Sequence, residues 1–258
     1  MRRHALLRGL HELLEPTTYF EIGVRDGMSL ALSRARSVGV DPFFRITREV
    51  RCDVHLVSTT SDEFFAREHP FAHFDEPVVD LAFIDGMHLS EFVLRDFINT
   101  ERFCSPGSVV VFDDVLPRSV EEAGRGREGR ARHGAWAGDV FKALQSVRSL
   151  RPDLVVLEVD TFPTGVAVVL APDSGNRILE RAYDELVQDY VVQDPQALPG
   201  DVMRRSRAIR GEDLLGSGIW SAIRAARGRT GETGRESIRA ACARAGLTAD
   251  SRAGGPHA

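Results

Sequence analysis

Two apolar runs that end in carboxylates carry the strongest chemical signal in the chain. Val79-Asp80-Leu81-Ala82-Phe83-Ile84 leads into Asp85-Gly86-Met87-His88, and Ser108-Val109-Val110-Val111-Phe112 leads into Asp113-Asp114. Runs rich in Val, Ile and Phe and bounded by turn residues read as strands buried on both faces, the pattern of a parallel sheet covered by helices. Ligands of such sheets bind at the carboxyl ends of the strands, so Asp85, Asp113 and Asp114 are expected to converge on one crevice. Three carboxylates there suit a hard divalent cation such as Mg²⁺, which keeps waters that a substrate oxygen can displace. A hydroxyl bound to such a cation becomes easier to deprotonate and is held in line for reaction. His88, three residues past Asp85, offers an imidazole with an ordinary pKa of about 6.5 to take that proton. Plainer readings stand beside these: acids at strand ends cap the following helix, and a histidine there caps or packs.

The elements that must position these residues follow from hydrophobic periodicity. Leu6, Leu7, Leu10, Leu13 and Leu14 predict an amphipathic helix over 3–14, ended by Pro16. Residues 17–24 predict a strand, Gly23-Val24-Arg25-Asp26-Gly27 a turn, and 28–37 a helix. Glycines at that turn let the backbone approach a ligand closely, with helix amides aimed at it. A short strand then ends in Asp41, about 20 residues past Glu21, where nucleotide-binding folds place a carboxylate on the ribose hydroxyls. Asp41-Pro42 equally suits the start of a turn.

Residues 53–58 form a third strand, after which Ser61 and Asp62 make a plausible N-cap. A helix over 89–103 follows the fourth strand, and Ser105-Pro106-Gly107 is a turn before the fifth. The polar, Gly- and Arg-rich stretch 117–134 reads as a mobile lid beyond the carboxyl end of that strand. Trp136, at the start of a helix running to 150, reads as its core anchor, with a place facing the substrate pocket as the alternative. Strands over 154–159 and 165–170, joined by Thr161-Phe162-Pro163-Thr164, predict an antiparallel hairpin, with a helix over 173–192 after it. The expected organisation is a main domain over 1–200, a helical appendage over 201–227 whose Leu214, Ile219, Trp220 and Ile223 would face a neighbouring subunit in a homo-oligomer, and a flexible tail over 228–258.

Glu21-Ile22-Gly23-Val24-Arg25-Asp26-Gly27, an acid followed by GxxxG, resembles motif I of class I S-adenosylmethionine-dependent methyltransferases. The Ile84-Asp85-Gly86-Met87-His88 and Phe112-Asp113-Asp114 elements resemble metal-dependent O-methyltransferases of the catechol and caffeoyl-coenzyme A type, and more loosely the macrocin-type sugar methyltransferases. The resemblance covers residues 17–171 and implies a Rossmann-like, doubly wound α/β fold. Its sheet would have seven mostly parallel strands in the order 3-2-1-4-5-7-6, with a terminal antiparallel hairpin. The resemblance further implies S-adenosyl-L-methionine bound by Glu21, Gly23, Gly27, Asp41, Ser61, Asp62 and Asp85. Mg²⁺ or another divalent cation would sit on Asp85, Asp113 and Asp114. Asp85 and His88 would be catalytic, His88 standing where catechol-type enzymes carry a lysine base. The implied acceptor is a hydroxyl of a small molecule, a sugar or natural product. Two other readings remain open: a metal-independent methyltransferase acting on nitrogen or a carboxylate, and a non-catalytic Rossmann-like protein that holds an anionic partner.

Composition narrows the classes. With 258 residues, 43% hydrophobic and 28% charged, the chain is an ordinary globular protein in make-up. No run reaches the roughly 18 apolar residues that span a bilayer, and Arg8, His11 and Glu12 interrupt the N-terminal apolar segment, so no signal peptide is expected. Cys52, Cys104 and Cys242 form no CxxC pair and read as reduced thiols of a cytoplasmic protein. The net charge of −5 conceals a basic end, eleven arginines against five acids over 202–258. A single lysine, Lys142, among so many arginines points to a compositional bias, so no nucleic-acid partner is expected.

Overall fold

The computed structural model describes residues 1–126, 135–229 and 231–247. Helix α1 (Arg3–Leu14) precedes β1 (Thr18–Ile22), β2 (Arg36–Val40), β3 (Val54–Val57), α2 (Ser61–Phe65), β4 (Val79–Ile84), α3 (Ser90–Glu101) and β5 (Cys104–Asp113). Helix α4 (Val140–Leu150), β6 (Val155–Asp160), β7 (Val166–Leu170), α5 (Ile178–Tyr190), α6 (Gly200–Met203), β8 (Ile209–Arg210), α7 (Gly211–Leu215), α8 (Trp220–Ala226) and α9 (Glu232–Arg244) complete the chain. One sheet results, ordered β3-β2-β1-β4-β5-β7-β6-β8. Its first five strands are parallel, while β7 runs antiparallel between β5 and β6. Seven strands thus keep the expected order. The eighth, two residues paired with the end of β6, is too short to leave a periodic signal.

Every residue of β4 is buried, as its unbroken apolar run requires of a strand covered on both faces. Alternation sends Phe20, Ile22, Ala82, Ile84, Val110 and Phe112 to the face packed by Val93 and Phe97 of α3 and Phe141 and Leu144 of α4. Tyr19, Leu81, Phe83, Val109 and Val111 meet Leu6, Leu7 and Leu10 of α1 on the other. The expected turn at Ser105-Pro106-Gly107 is instead an irregularity inside β5, where pairing jumps from Val79↔Cys104 to Leu81↔Val109. A proline, lacking an N–H, is tolerated at such a bulge.

Three expectations are corrected. The helix over 28–37 is absent, and only a single 3₁₀ turn, Leu30–Leu32, forms. Serine hydroxyls there take backbone partners, Ser33 Oγ accepting from Ala35 N, and β2 claims the backbone from Arg36 on. Such side chains compete with helical bonding. The 201–227 segment does not present its apolar face outward, because Leu214, Ile219, Trp220 and Ile223 are buried in the α1 face of this chain's own core. The supposed tail contains α9, whose Ile238, Ala241 and Cys242, spaced to share one helical face, are buried against α8 and β5. Residues 248–258 lie outside the described residues.

Among the described residues, no helix is long and apolar enough to cross a membrane. The three cysteines are unpaired thiols.

Candidate active site

Pairing of Ile84 with Phe112 brings the carboxyl ends of β4 and β5 side by side, so Asp85, Asp113 and Asp114 do gather at one edge. They do not act as a trio. Alternation continues the Val109 and Val111 face through Asp113, and there α1 presents Arg3, whose Nη1 donates to Asp113 Oδ2 and lies 3.6 Å from Asp85 Oδ2. Asp114 takes a left-handed backbone (φ 63°) and turns to Thr164, whose hydroxyl donates to its Oδ1. His88, also left-handed (φ 57°), stands between Asp85 and Asp114. Its Nε2 is 3.2 Å from Asp85 Oδ1 and its Nδ1 is 2.8 Å from Asp114 Oδ2. Arg3 thus takes Asp113 out of the expected cation set of Asp85, Asp113 and Asp114, and the group whose donor atoms lie within 4.8 Å of one another, and which could hold an ion, is Asp85, His88 and Asp114.

These residues line a cavity of about 440 Å³, with Gly23, Arg25, Asp41, Phe43, Trp136 and Pro163 on the same wall. Arg25, His88 and Asp114, three of the left-handed non-glycine residues, all fall on it, and backbone strain of this kind is sustained where the surroundings over-determine it. Gly23 (φ 91°) admits no side chain, since a Cβ would overlap the Asp85 carbonyl oxygen. Gly138 (φ 62°) packs as tightly on the His88 carbonyl.

The surroundings of His88 set its chemistry. Its ring stacks on Trp136 at 4.9 Å. Nδ1 lies 3.0 Å from the Trp136 carbonyl oxygen, which can only accept, so Nδ1 carries a hydrogen. A second partner that orients the ring in this way is the usual support of a ligating histidine. Asp114, only 4% exposed, has an Oδ2 that lies 2.8 Å from His88 Nδ1 yet, among the described residues, meets no aligned hydrogen-bond donor. Nε2 and Asp85 Oδ1 likewise face each other as acceptors unless a cation or a proton lies between them. This donor set fits a divalent cation. Without one, burial pulls the His88 pKa down, but Asp114 and Asp85 overbalance it and raise it well above its ordinary value. With Nε2 facing Asp85 and Nδ1 facing Asp114 and the Trp136 carbonyl, the ring is placed as a partner of these groups rather than as the expected free general base.

The cofactor expectations divide. Asp41 reaches the cavity with Oδ2 accepting from Arg25 N and Oδ1 from Phe43 N, both at 2.7 Å, and each oxygen retains a lone pair. Glu21 does not reach it. Wholly buried, it accepts from Tyr19 Oη at 2.8 Å and Ser29 Oγ at 2.5 Å, and burial pushes its pKa up to about 8. Gly27 packs near Ile46, off the cavity wall, and no helix follows to aim amides at a ligand. Ser61 and Asp62 are also elsewhere: Ser61 bonds buried Asp96, and Asp62 pairs with Arg95 at 2.5 Å. Thr60 is the N-cap of α2, in a capping box with Glu63.

Sequence reasoning missed Arg3, Arg25 and Thr164. For Trp136 the less favoured alternative holds: the indole is half-buried on the cavity wall and donates to the Gly124 carbonyl at 2.7 Å. Part of the expected lid is packed: Ala123 is buried, Glu122 is paired with Arg118, and Arg125 bonds Glu91 and Asp139 at 2.6 Å. Residues 127–134 of that stretch lie outside the described residues.

Residues 20–115 match the model of a family described as a methyltransferase domain, a span that holds the glycine turn and all the gathered acids. That match covers most of the strands and turns that build the cavity, and the order of the first seven strands is the one expected of a Rossmann-like methyltransferase fold. Among solved structures, the chain is similar to TomG, an O-methyltransferase from Streptomyces achromogenes involved in tomaymycin synthesis and solved with SAM. The two share 18% identity over 66% of this chain and 80% of TomG, with a TM-score of 0.47. Cofactor-bound Rv0187 from MTB gives 18% identity, 66% and 79% coverage, and a TM-score of 0.48. An O-methyltransferase from Bacillus cereus, solved with SAH, gives 14% identity, 65% and 80% coverage, and 0.45. Likeness at this distance carries no residue-by-residue correspondence. Among curated proteins, none matches the chain.

Proposed function

We propose that this protein moves the methyl group of S-adenosylmethionine to a hydroxyl oxygen of a small molecule, a sugar or natural product, assisted by a divalent cation on Asp85, His88 and Asp114. The observation that carries the reading is the buried Asp114 Oδ2, without an aligned donor among the described residues and lining the same cavity as the Gly23–Arg25 turn and Asp41. Charge agrees: Asp85, Asp113 and Asp114 against Arg3 leave two net negative charges around a neutral His88, which a dication balances.

A bound dication supplies an acidified, oriented acceptor hydroxyl. Everything else falls to the protein. Asp85, whose side chain is 15% exposed, takes the hydroxyl proton. The oxygen lone pair forms the new C–O bond as the S–C bond breaks, its electron pair returning to sulfur to give the thioether S-adenosylhomocysteine. Asp41 holds the ribose, and the close approach at Gly23 lets the donor lie against the ends of β1 and β4. Because the sulfonium carries its own leaving group, the domain contributes chiefly proximity and alignment.

Calorimetric titration with S-adenosylhomocysteine, followed by labelled-methyl transfer with and without EDTA, tests this. Asp114→Asn is expected to lower kcat/KM by at least about 100-fold, roughly 2.7 kcal/mol of transition-state stabilisation, while changing the S-adenosylhomocysteine affinity little. Failure of S-adenosylhomocysteine to bind the wild type would sink the whole reading. A specific observation favours a second reading: His88 stands between the two acids, Nε2 3.2 Å from Asp85 and Nδ1 2.8 Å from Asp114, where a protonated ring would fill the cation's place. That enzyme would be metal-independent, acting on nitrogen or a carboxylate, and would keep its full rate in EDTA.

A further inference from the structure

We infer that Arg3 is a positioning residue that selects the cation: by holding Asp113 it leaves a mixed carboxylate and imidazole ligand set, so the site takes Mn²⁺ in preference to Mg²⁺. The inference rests on the cation-assisted reading above.

Arg3 is not a wandering surface arm. It opens α1, whose Leu6, Leu7 and Leu10 are buried in the core, and the residues before it are pinned to the β6–β7 turn. Phe162 N donates to the Met1 carbonyl at 2.9 Å, and the Arg2 guanidinium lies 5.3 Å from the centre of the Phe162 ring. The guanidinium of Arg3 is thereby delivered to the strand ends, where a single nitrogen, Nη1, serves both Asp113 Oδ2 and Asp85 Oδ2. It fills the space between those two carboxylates with a fixed positive charge. Asp113, its side chain 2% exposed and held by Arg3, stands outside the group of Asp85, His88 and Asp114 whose donor atoms lie within 4.8 Å of one another.

The remaining donors are two carboxylate oxygens and one imidazole nitrogen. Mg²⁺ favours oxygen ligands alone in a strict octahedron, whereas transition-metal dications accept imidazole readily. Asp114 Oδ2, a buried acceptor on the cavity wall, lies 2.8 Å from His88 Nδ1 but out of line with its hydrogen, so the oxygen is open to a cation. Removing the Arg3 charge would take one like charge away from the cation and free Asp113 beside Asp85, which opens an all-oxygen pair that suits Mg²⁺.

The test is a titration of the full chain with Mn²⁺, free ion being read by electron paramagnetic resonance, and with Mg²⁺ by competition, without a methyl donor. Wild type should bind Mn²⁺ at least about tenfold more tightly than Mg²⁺. Arg3→Gln should tighten Mg²⁺ by about fivefold or more and narrow that preference, and Arg3→Lys, which keeps the charge, should retain it. Asp113→Asn should move Mn²⁺ affinity by less than about threefold, whereas Asp114→Asn weakens it by about tenfold or more. The inference is overturned if Asp113→Asn costs as much as Asp114→Asn, or if natively folded Arg3→Gln leaves Mg²⁺ affinity where it was. Should Arg3→Gln not fold, the two aspartate variants decide the matter alone. A wild type that binds neither ion overturns it too, while binding of S-adenosylhomocysteine in the same preparation would leave the methyl-donor assignment standing.

Discussion

Glu21→Gln separates two jobs for the acid of the glycine motif, contact with the methyl donor and support of the turn from behind. The carboxyl is wholly buried, held by Tyr19 and Ser29, and burial raises its pKa from 4.5 to about 8. Its folded-state pKa lies above its unfolded value, so between pH 4.5 and 8 the native protein keeps a proton that the unfolded chain has released. Stability from this group is therefore full below about pH 4.5 and is lost as pH rises to about 8. At about 1.36 kcal/mol per pKa unit the ceiling is about 5 kcal/mol, of which about 3 kcal/mol falls between pH 6 and the folded pKa. Glutamine keeps the shape and hydrogen-bonding capacity of the neutral acid but does not titrate. Urea unfolding of both proteins at pH 6 and pH 9 removes the other titrating groups by difference. The wild type should lose about 3 kcal/mol more than the variant over that interval. A difference in stability that is the same at both pH values would mean that Glu21 is ionised in the native state and would refute the argument. The affinity for S-adenosylhomocysteine should be unchanged by the substitution, because Glu21 does not reach the cavity wall; a tenfold loss would restore the acid to the donor site.

Two further substitutions probe the supports of the fold and the site. Arg151, fully buried, bonds Glu101 at 2.7 and 2.9 Å and Asp153 at 2.8 Å. Arg151→Ala strands the Glu101 carboxylate and should cost about 3–5 kcal/mol in urea unfolding, and the double change Arg151→Met with Glu101→Leu should recover most of that loss. Gly138→Ala forces a side chain onto the His88 carbonyl at a left-handed position. It should lower stability by about 1–3 kcal/mol and reduce methyl transfer more than binding of S-adenosylhomocysteine, read by thermal melting, rate and calorimetry.

How much of this was legible without coordinates depends on how local each feature is. The runs over 79–84 and 108–113 had to be buried parallel strands, and strands ending in acids had to gather those acids at one edge of the sheet. Alternation within β5 even allots Asp113 to the face of Val109 and Val111, a signal present in the chain but unusable until the occupant of that face was known. The missing helix over 28–37 and the stripe of α9 show the limits of local pattern in both directions. Serine side chains and the demands of β2 overrode helical periodicity in one case, and burial against β5 and α8 stabilised a polar-looking segment in the other.

Only the tertiary structure decided which charge stands beside which. Arg3 meets Asp113 across 110 residues of chain, Trp136 meets His88 across 48, and Thr164 meets Asp114 across 50. Sequence spacing fixes neighbours within a turn or across one strand pair, whereas these pairings depend on where whole helices and hairpins come to rest. Residue types alone therefore announced a carboxylate site at the strand ends. The packing of α1 and the loop at Trp136 settled that an arginine takes one of those acids and a histidine stands with the other two.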